Sequence, residues 1–229
     1  MKTINFFIAS SALLFACNTT THAQNTFFPT KAGTVLTYMQ NDAKGKADAY
    51  LQYTIENVEG SERNMTVSYS VVMMDKNRKP INDPIPLKVT IQDDVVFLDM
   101  KELFAGMKTD TQIEVEYSGV PIELPANLQP GQSLKDAEAI MTVNLGIMKM
   151  TTSIKMTDGK CLAIEDFTVP AGTFKCHKMT QSVATTVMKK TVNSRTVSWY
   201  APGIGTVKNE TYDAKDKLSG SMELIEIKK

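Results

Sequence analysis

Apolar residues recur at every second position along much of this chain, and that period constrains the fold more than any other feature. Leu51, Tyr53 and Ile55 share one face while Gln52, Thr54 and Glu56 share the other. Met65, Val67, Tyr69, Val71 and Met73 alternate with Thr66, Ser68 and Ser70, and Ile113, Val115 and Tyr117 with Gln112, Glu114 and Glu116. Met148, Met150, Ile154 and Met156 stand against Lys149, Thr151, Ser153 and Lys155. Strands with one apolar and one polar face build antiparallel sheets wetted on one side, whereas parallel strands covered on both faces read as unbroken Val, Ile and Leu runs. Turn residues punctuate the pattern at Lys44-Gly45-Lys46, Gly60 to Asn64, Pro170-Ala171-Gly172, Pro202-Gly203 and Ala214 to Lys217. The expectation is an all-β fold with minor α content, in which one antiparallel sheet of roughly ten strands curls into a half-barrel or barrel with its apolar face inward.

One short helix is signalled from Asp99 to Gly106. Asp99 can cap it, Glu102 follows three residues later, and Met100, Leu103, Phe104 and Met107 fall at helical spacing. The proline-bearing stretches Lys79 to Pro86 and Pro121 to Pro130 read as extended loops, since proline donates nothing to a central ladder. No repeat, linker or low-complexity tract divides the rest, so residues 24–229 form a single β-rich domain.

Residues 1–23 read as a signal peptide. Lys2 supplies the positive start, and the apolar run from Ile4 to Ala16 is too short to span a bilayer as a helix. Thr21-His22-Ala23 offers small side chains at both positions that signal peptidase reads, which places the mature N-terminus at Gln24 in the periplasm or outside the cell. The alternative is a lipoprotein anchored through Cys17, which closes the apolar run after Leu14-Phe15-Ala16. No later stretch is long and apolar enough to form a transmembrane helix. Of the 25 basic and 25 acidic side chains only Lys2 lies in the leader, so the mature chain carries 24 against 25. No block of like charge stands out, which argues against nucleic acid as a partner.

Phe28-Pro29 with Gly33-Thr34-Val35-Leu36-Thr37-Tyr38, then Val169-Pro170-Ala171-Gly172-Thr173-Phe174-Lys175-Cys176, then Trp199-Tyr200-Ala201-Pro202-Gly203-Ile204-Gly205-Thr206-Val207-Lys208, resemble a family of secreted bacterial proteins labelled TapB-like, a periplasmic domain of unknown function. The phrases span nearly all of the mature chain in the family's order. In outline the family is similar to periplasmic lipoprotein carriers, whose curled sheet and helical lid enclose acyl chains. The resemblance implies a fold and a compartment, and it brings no catalytic residue.

The residues themselves offer little chemistry. His177 follows Cys176 on a strand, so the two side chains point to opposite faces and cannot act as base and nucleophile; a strand-surface histidine is the expectation. No Gly-x-Ser-x-Gly turn presents a serine. Asp93-Asp94 and the pair Glu114 and Glu116 read as solvated acids of the kind any wet sheet face carries. No metal or other cofactor is expected, because two cysteines 15 apart with one histidine do not make a zinc spacing. Those cysteines, Cys161 and Cys176, flank the turn at Pro170-Ala171-Gly172. In a regular hairpin Cys176 sits opposite about residue 166, too far from Cys161 to bond, so both thiols are expected to stay reduced.

The 14 methionines are the most unusual feature of composition. Met141, Met148, Met150 and Met156 cluster on successive strands, and Met100, Leu103, Phe104 and Met107 lie on the apolar side of the expected helix; together they are the candidate lining of a ligand pocket. Flexible thioethers suit a pocket that adapts to varied chains, and equally an ordinary core. The expectation is an exported envelope protein, not an enzyme, that binds an apolar small molecule or lipidated protein inside its curled sheet. A structural or interaction module of the envelope with a filled core is the alternative.

Overall fold

The computed structural model describes residues 26–61, 63–99, 114–145 and 148–229. Among the described residues thirteen strands form one sheet, three more than the alternation alone suggested. In chain order they are β1 (Val35–Asp42), β2 (Ala47–Ser61), β3 (Asn64–Asp75), β4 (Ile85–Gln92) and β5 (Val95–Leu98). Then come β6 (Glu114–Val120), β7 (Ile122–Pro125), β8 (Ala137–Leu145) and the 22-residue β9 (Met148–Val169). The last four are β10 (Gly172–Val187), β11 (Lys190–Ala201), β12 (Gly205–Asp213) and β13 (Leu218–Lys228). Every neighbouring pair is antiparallel. The expected helix from Asp99 to Gly106 lies outside the described residues beyond Asp99 itself.

Closure follows from the strand order β6-β8-β9-β10-β11-β12-β13-β1-β2-β3-β4-β5-β7. β6 and β7 occupy opposite edges of the sheet, yet only Pro121 separates them along the chain. Two edges joined through one residue lie within about 7 Å of each other at that point. The sheet therefore wraps round until its edges meet, and a nearly closed barrel results. Proline suits the junction because it has no N–H to offer either neighbour while the chain changes partner from β8 to β5.

That junction corrects the reading of Pro121 to Pro130 as a loop, since Ile122–Pro125 pairs with Val95 to Leu98. Pro86 is likewise inside β4, opposite Ser70. β5 covers only Thr90 to Gln92 of β4, so Pro86 stands where no neighbour needs its missing donor. Both prolines hide strands from a pattern that treats proline as a breaker.

Register carries one largely apolar inner face around the barrel, broken by the polar pair Ser198 and Asn209: Tyr69 stands opposite Ile55, Tyr53 opposite Leu36, Tyr38 opposite Leu224, Ser198 opposite Asn209, and Met179 between Ser198 and Cys161. Ile55, Val67, Val89, Ile91, Val96, Val207 and Leu224 on this face are sealed from water. The segment Thr26 to Thr30 then plugs one end of the barrel and is buried throughout. Gly203 N–H donates to the Thr26 carbonyl at 2.7 Å, and the Phe28 ring lies 5.1 Å from that of Tyr69. Gly205, at φ 92°, leaves room for this plug, because a Cβ there would stand 3.1 Å from the Phe27 carbonyl oxygen.

Candidate functional site

A cavity of about 150 Å³ opens between β5 and β7 on one side and β9 to β12 on the other. These strands are far apart in the sheet order, and only the curl of the sheet brings them face to face. Leu98, Ile122 and Leu124 supply one apolar wall, Met156, Met179 and Val183 the other, with Leu134 and Tyr200 completing the lining. The polar side chains around it are largely satisfied by the barrel itself. Asn209 Nδ2 donates to Ser198 Oγ at 2.7 Å, Thr180 Oγ1 to the Thr196 carbonyl at 3.0 Å, and Lys135 pairs with Glu123 at 2.7 Å. The lining thus offers apolar surface more than free hydrogen-bonding groups.

Met156 is the one described member of the sequence-derived pocket set that lines this cavity. Register places Met141 opposite Thr152 and Met150 opposite Val143, on the same face of β8 and β9 that carries Met156, but both sit further up the strands and are half-buried away from the cavity. Met148 pairs with Leu145 in the ladder. Met100, Leu103, Phe104 and Met107 lie outside the described residues. The reading of the sequence did not find Leu98, Ile122, Leu124 or Met179. The signal for Ile122 and Leu124, two apolar residues alternating with Glu123, was present but masked by the flanking prolines.

His177 is buried, which corrects the expectation of a surface histidine. It occupies the inner face beside the plug: the Phe27 ring meets the imidazole edge-on at 4.9 Å, and Nδ1 lies 3.0 Å from the Leu128 carbonyl oxygen. A carbonyl only accepts, so Nδ1 carries the proton of the neutral ring. Burial, opposed by that hydrogen bond and aided by Lys175, holds the imidazole below its usual pKa. With a fixed tautomer, and ringed by Phe27 and Leu128, it anchors the plug.

The cysteines fall on opposite faces of the sheet. Cys176 stands opposite Glu165, and a bulge in β9 at Leu162 puts Cys161 opposite Met179, so the hairpin is less regular than the sequence suggested. Both thiols are free and buried, Cys161 against the plug and Met179, and Cys176 in a second cluster with Trp199 and Val197. Burial, with Glu165 and Asp166 nearby, pushes the Cys176 thiol up to about 12, which removes it as a nucleophile at neutral pH. Glu165 is itself engaged, accepting from Trp199 Nε1 at 2.8 Å. Among the described residues no three His, Cys, Asp or Glu side chains converge as metal ligands would.

Two solved structures share this architecture. An exported protein with a YmcC-like fold from Bacteroides fragilis NCTC 9343 is 22% identical, with a TM-score of 0.71 over 89% of this chain and 99% of that one. A lipoprotein from Parabacteroides distasonis ATCC 8503 is 26% identical, with a TM-score of 0.70 over 89% of this chain and 98% of that one. Comparison with the curated proteins returns no match. Residues 31–224, from just after the plug into the last strand, match a family of unknown function, and the chain belongs to that family, the DUF3108-like proteins.

Proposed function

We propose that this chain is an exported binding module of the bacterial envelope that takes a small apolar group, such as the end of an acyl chain or of a lipidated peptide, into the cavity between β5–β7 and β9–β12. The observation that carries the reading is the apolar lining by Leu98, Ile122, Leu124, Met156 and Met179, which sets this cavity apart from the larger, more open and more polar hollows beside Arg195 and Asp216 and beside Asp42 and Asp48. Size sets the ligand class. At about 150 Å³ the cavity falls short of the roughly 300 Å³ at which pockets for drug-sized ligands begin, and it matches a void that takes up a single benzene ring. A terminal segment fits, and a whole lipid does not. The exported and lipoprotein relatives support the compartment, and the likeness to TapB-like secreted proteins points the same way. In this reading the mature chain starts at Gln24 in the periplasm or outside the cell, with anchorage through Cys17 as the alternative.

Native mass spectrometry of the protein purified from its own envelope tests the proposal. A retained adduct of lipid or fatty-acid mass supports it. A protein free of adducts that also fails to take up added fatty acid favours the second reading, an interaction module with a filled core, for which the small size of the cavity speaks.

A further inference from the structure

The hairpin of β10 and β11 differs from the rest of the surface in apolarity, charge and backbone at once. Three of the large apolar side chains most open to water lie within six residues at its tip: Val187 is 43% exposed, Met188 60% and Val192 67%. Between Asp166 and Glu210 the chain has no acidic residue, while Lys175, Lys178, Lys189, Lys190, Arg195 and Lys208 all fall there. Arg195, Lys178 and Lys208 are paired with Asp216, Glu165 and Glu210. Among the described residues Lys189 and Lys190, at the tip, have no acidic partner.

On its β10 side the tip is held by β9, which pairs with Val187 through Thr152 and accepts from Met188 N–H at the Thr151 carbonyl, but its β11 side is open. β12 pairs with β11 only as far as Ser194, so the tip lacks a neighbour on that side over four residues to Lys190, roughly 13 Å of strand. It lies at the opposite end of the barrel from the Phe27 plug, since β10 runs from His177 beside the plug to Val187 at the tip.

The turn itself is costly. Val187 pairs with Lys190 across a two-residue loop whose central residues, Met188 and Lys189, have φ 48° and 71°. This is the twist-matched hairpin turn for which Asn-Gly is preferred. The chain makes the same kind of turn between β4 and β5 with Asp93 and Asp94, at φ 46° and 64°, and aspartate tolerates that region. A methionine held there, exposed to water between Val187 and Lys189, is an observed strain that packing does not explain.

We propose that the β10–β11 tip is a membrane-contact site, in which Val187, Met188 and Val192 enter the interfacial layer of an anionic bilayer while Lys189 and Lys190 meet its phosphates. Exposed apolar side chains flanked by unpaired cations fit that partner on both counts, since burial in the interface and attraction to anionic lipid add. An acidic protein surface would satisfy the lysines alone and leave the apolar side chains wet. The site is separate from the cavity and stands whether or not the cavity takes a ligand.

Residues 24–229, which contain the whole described fold, are mixed with vesicles of phosphatidylglycerol and phosphatidylethanolamine, and with vesicles of phosphatidylcholine alone, and sedimented. The expected result is saturable binding to the anionic vesicles that weakens as salt is raised, with little binding to phosphatidylcholine. Lys189→Ala should weaken it about fivefold, the worth of one basic side chain at an anionic surface. The double variant Met188→Asn with Lys189→Gly installs the preferred turn, so it folds at least as well, and it should weaken binding tenfold or more. Failure of the unaltered protein to bind anionic vesicles overturns the proposal, as does equal binding by the double variant. Crosslinking of the tip to an envelope protein without vesicle binding also overturns it, in favour of a protein partner.

Discussion

Replacing Met188 by Asn and Lys189 by Gly should make the protein more stable, which is unusual for a double substitution in a natural chain. Both positions adopt positive φ, where an L side chain other than Asn or Asp costs roughly 1–2 kcal/mol. Relieving two such positions gains about 2–4 kcal/mol, and the greater freedom of glycine in the unfolded chain returns roughly 0.5–1 kcal/mol of that. Little packing is lost in exchange, because Met188 is 60% exposed. The net gain is about 1–3 kcal/mol, and for a domain of this size each kcal/mol moves Tm by roughly 2–4 °C. Thermal unfolding followed by circular dichroism should therefore show Tm raised by about 2–12 °C. The matching change Asp93→Asn with Asp94→Gly should gain less, since aspartate already tolerates its conformation. An unchanged or lowered Tm for the Met188 and Lys189 variant, with the β4–β5 variant equal or higher, would refute the strain argument.

Three further outcomes follow from the core and the seam. Thiol counting on unfolded, unreduced protein should find Cys161 and Cys176 both free, since the register puts them on opposite faces of the sheet; a mass two units below the dithiol form would contradict that register. Because His177 has its pKa lowered in the folded state, the unfolded chain takes up its proton first, and stability should fall as pH drops from about 6.5 through the lower folded pKa; His177→Gln should flatten that slope, and an unchanged slope would show that other groups set it. At Gly119, φ is 143° and a Cβ would lie 2.0 Å from the Glu138 carbonyl oxygen, so Gly119→Ala should cost roughly 1–3 kcal/mol and raise amide exchange in β6 and β8 first, whereas uniform exchange across the barrel would place the damage elsewhere.

The parts of the fold that were legible in the sequence are those where one physical signal acts alone. Alternation at Leu51 to Glu56 and Met65 to Met73 identified β2 and β3 and the face each turns inward, because water on one side and core on the other leave a period of two. β7 and the start of β4 were hidden, since Pro86 and Pro125 are tolerated only because particular neighbours are missing, and neighbours are a property of the finished sheet. His177 was misplaced for a related reason. A strand pattern gives its face, but the Phe27 plug that covers it comes from about 150 residues earlier in the chain. The cavity was legible only through Met156. Its other wall, Leu98 with Ile122 and Leu124, depends on the closure at Pro121, which brings opposite edges of the sheet together and leaves no local mark.

Whether the barrel holds a ligand at the cavity is measured most directly by titrating a fluorescent fatty acid into the protein and into Met156→Trp, which places an indole at the cavity where a half-buried methionine now stands. The melting temperature of the variant confirms that it folds. The account predicts saturable one-to-one uptake by the unaltered protein and loss of at least tenfold in affinity when the indole occupies the space. Saturable uptake that is indifferent to Met156→Trp would place the ligand elsewhere, and no uptake by either protein would contradict the binding function.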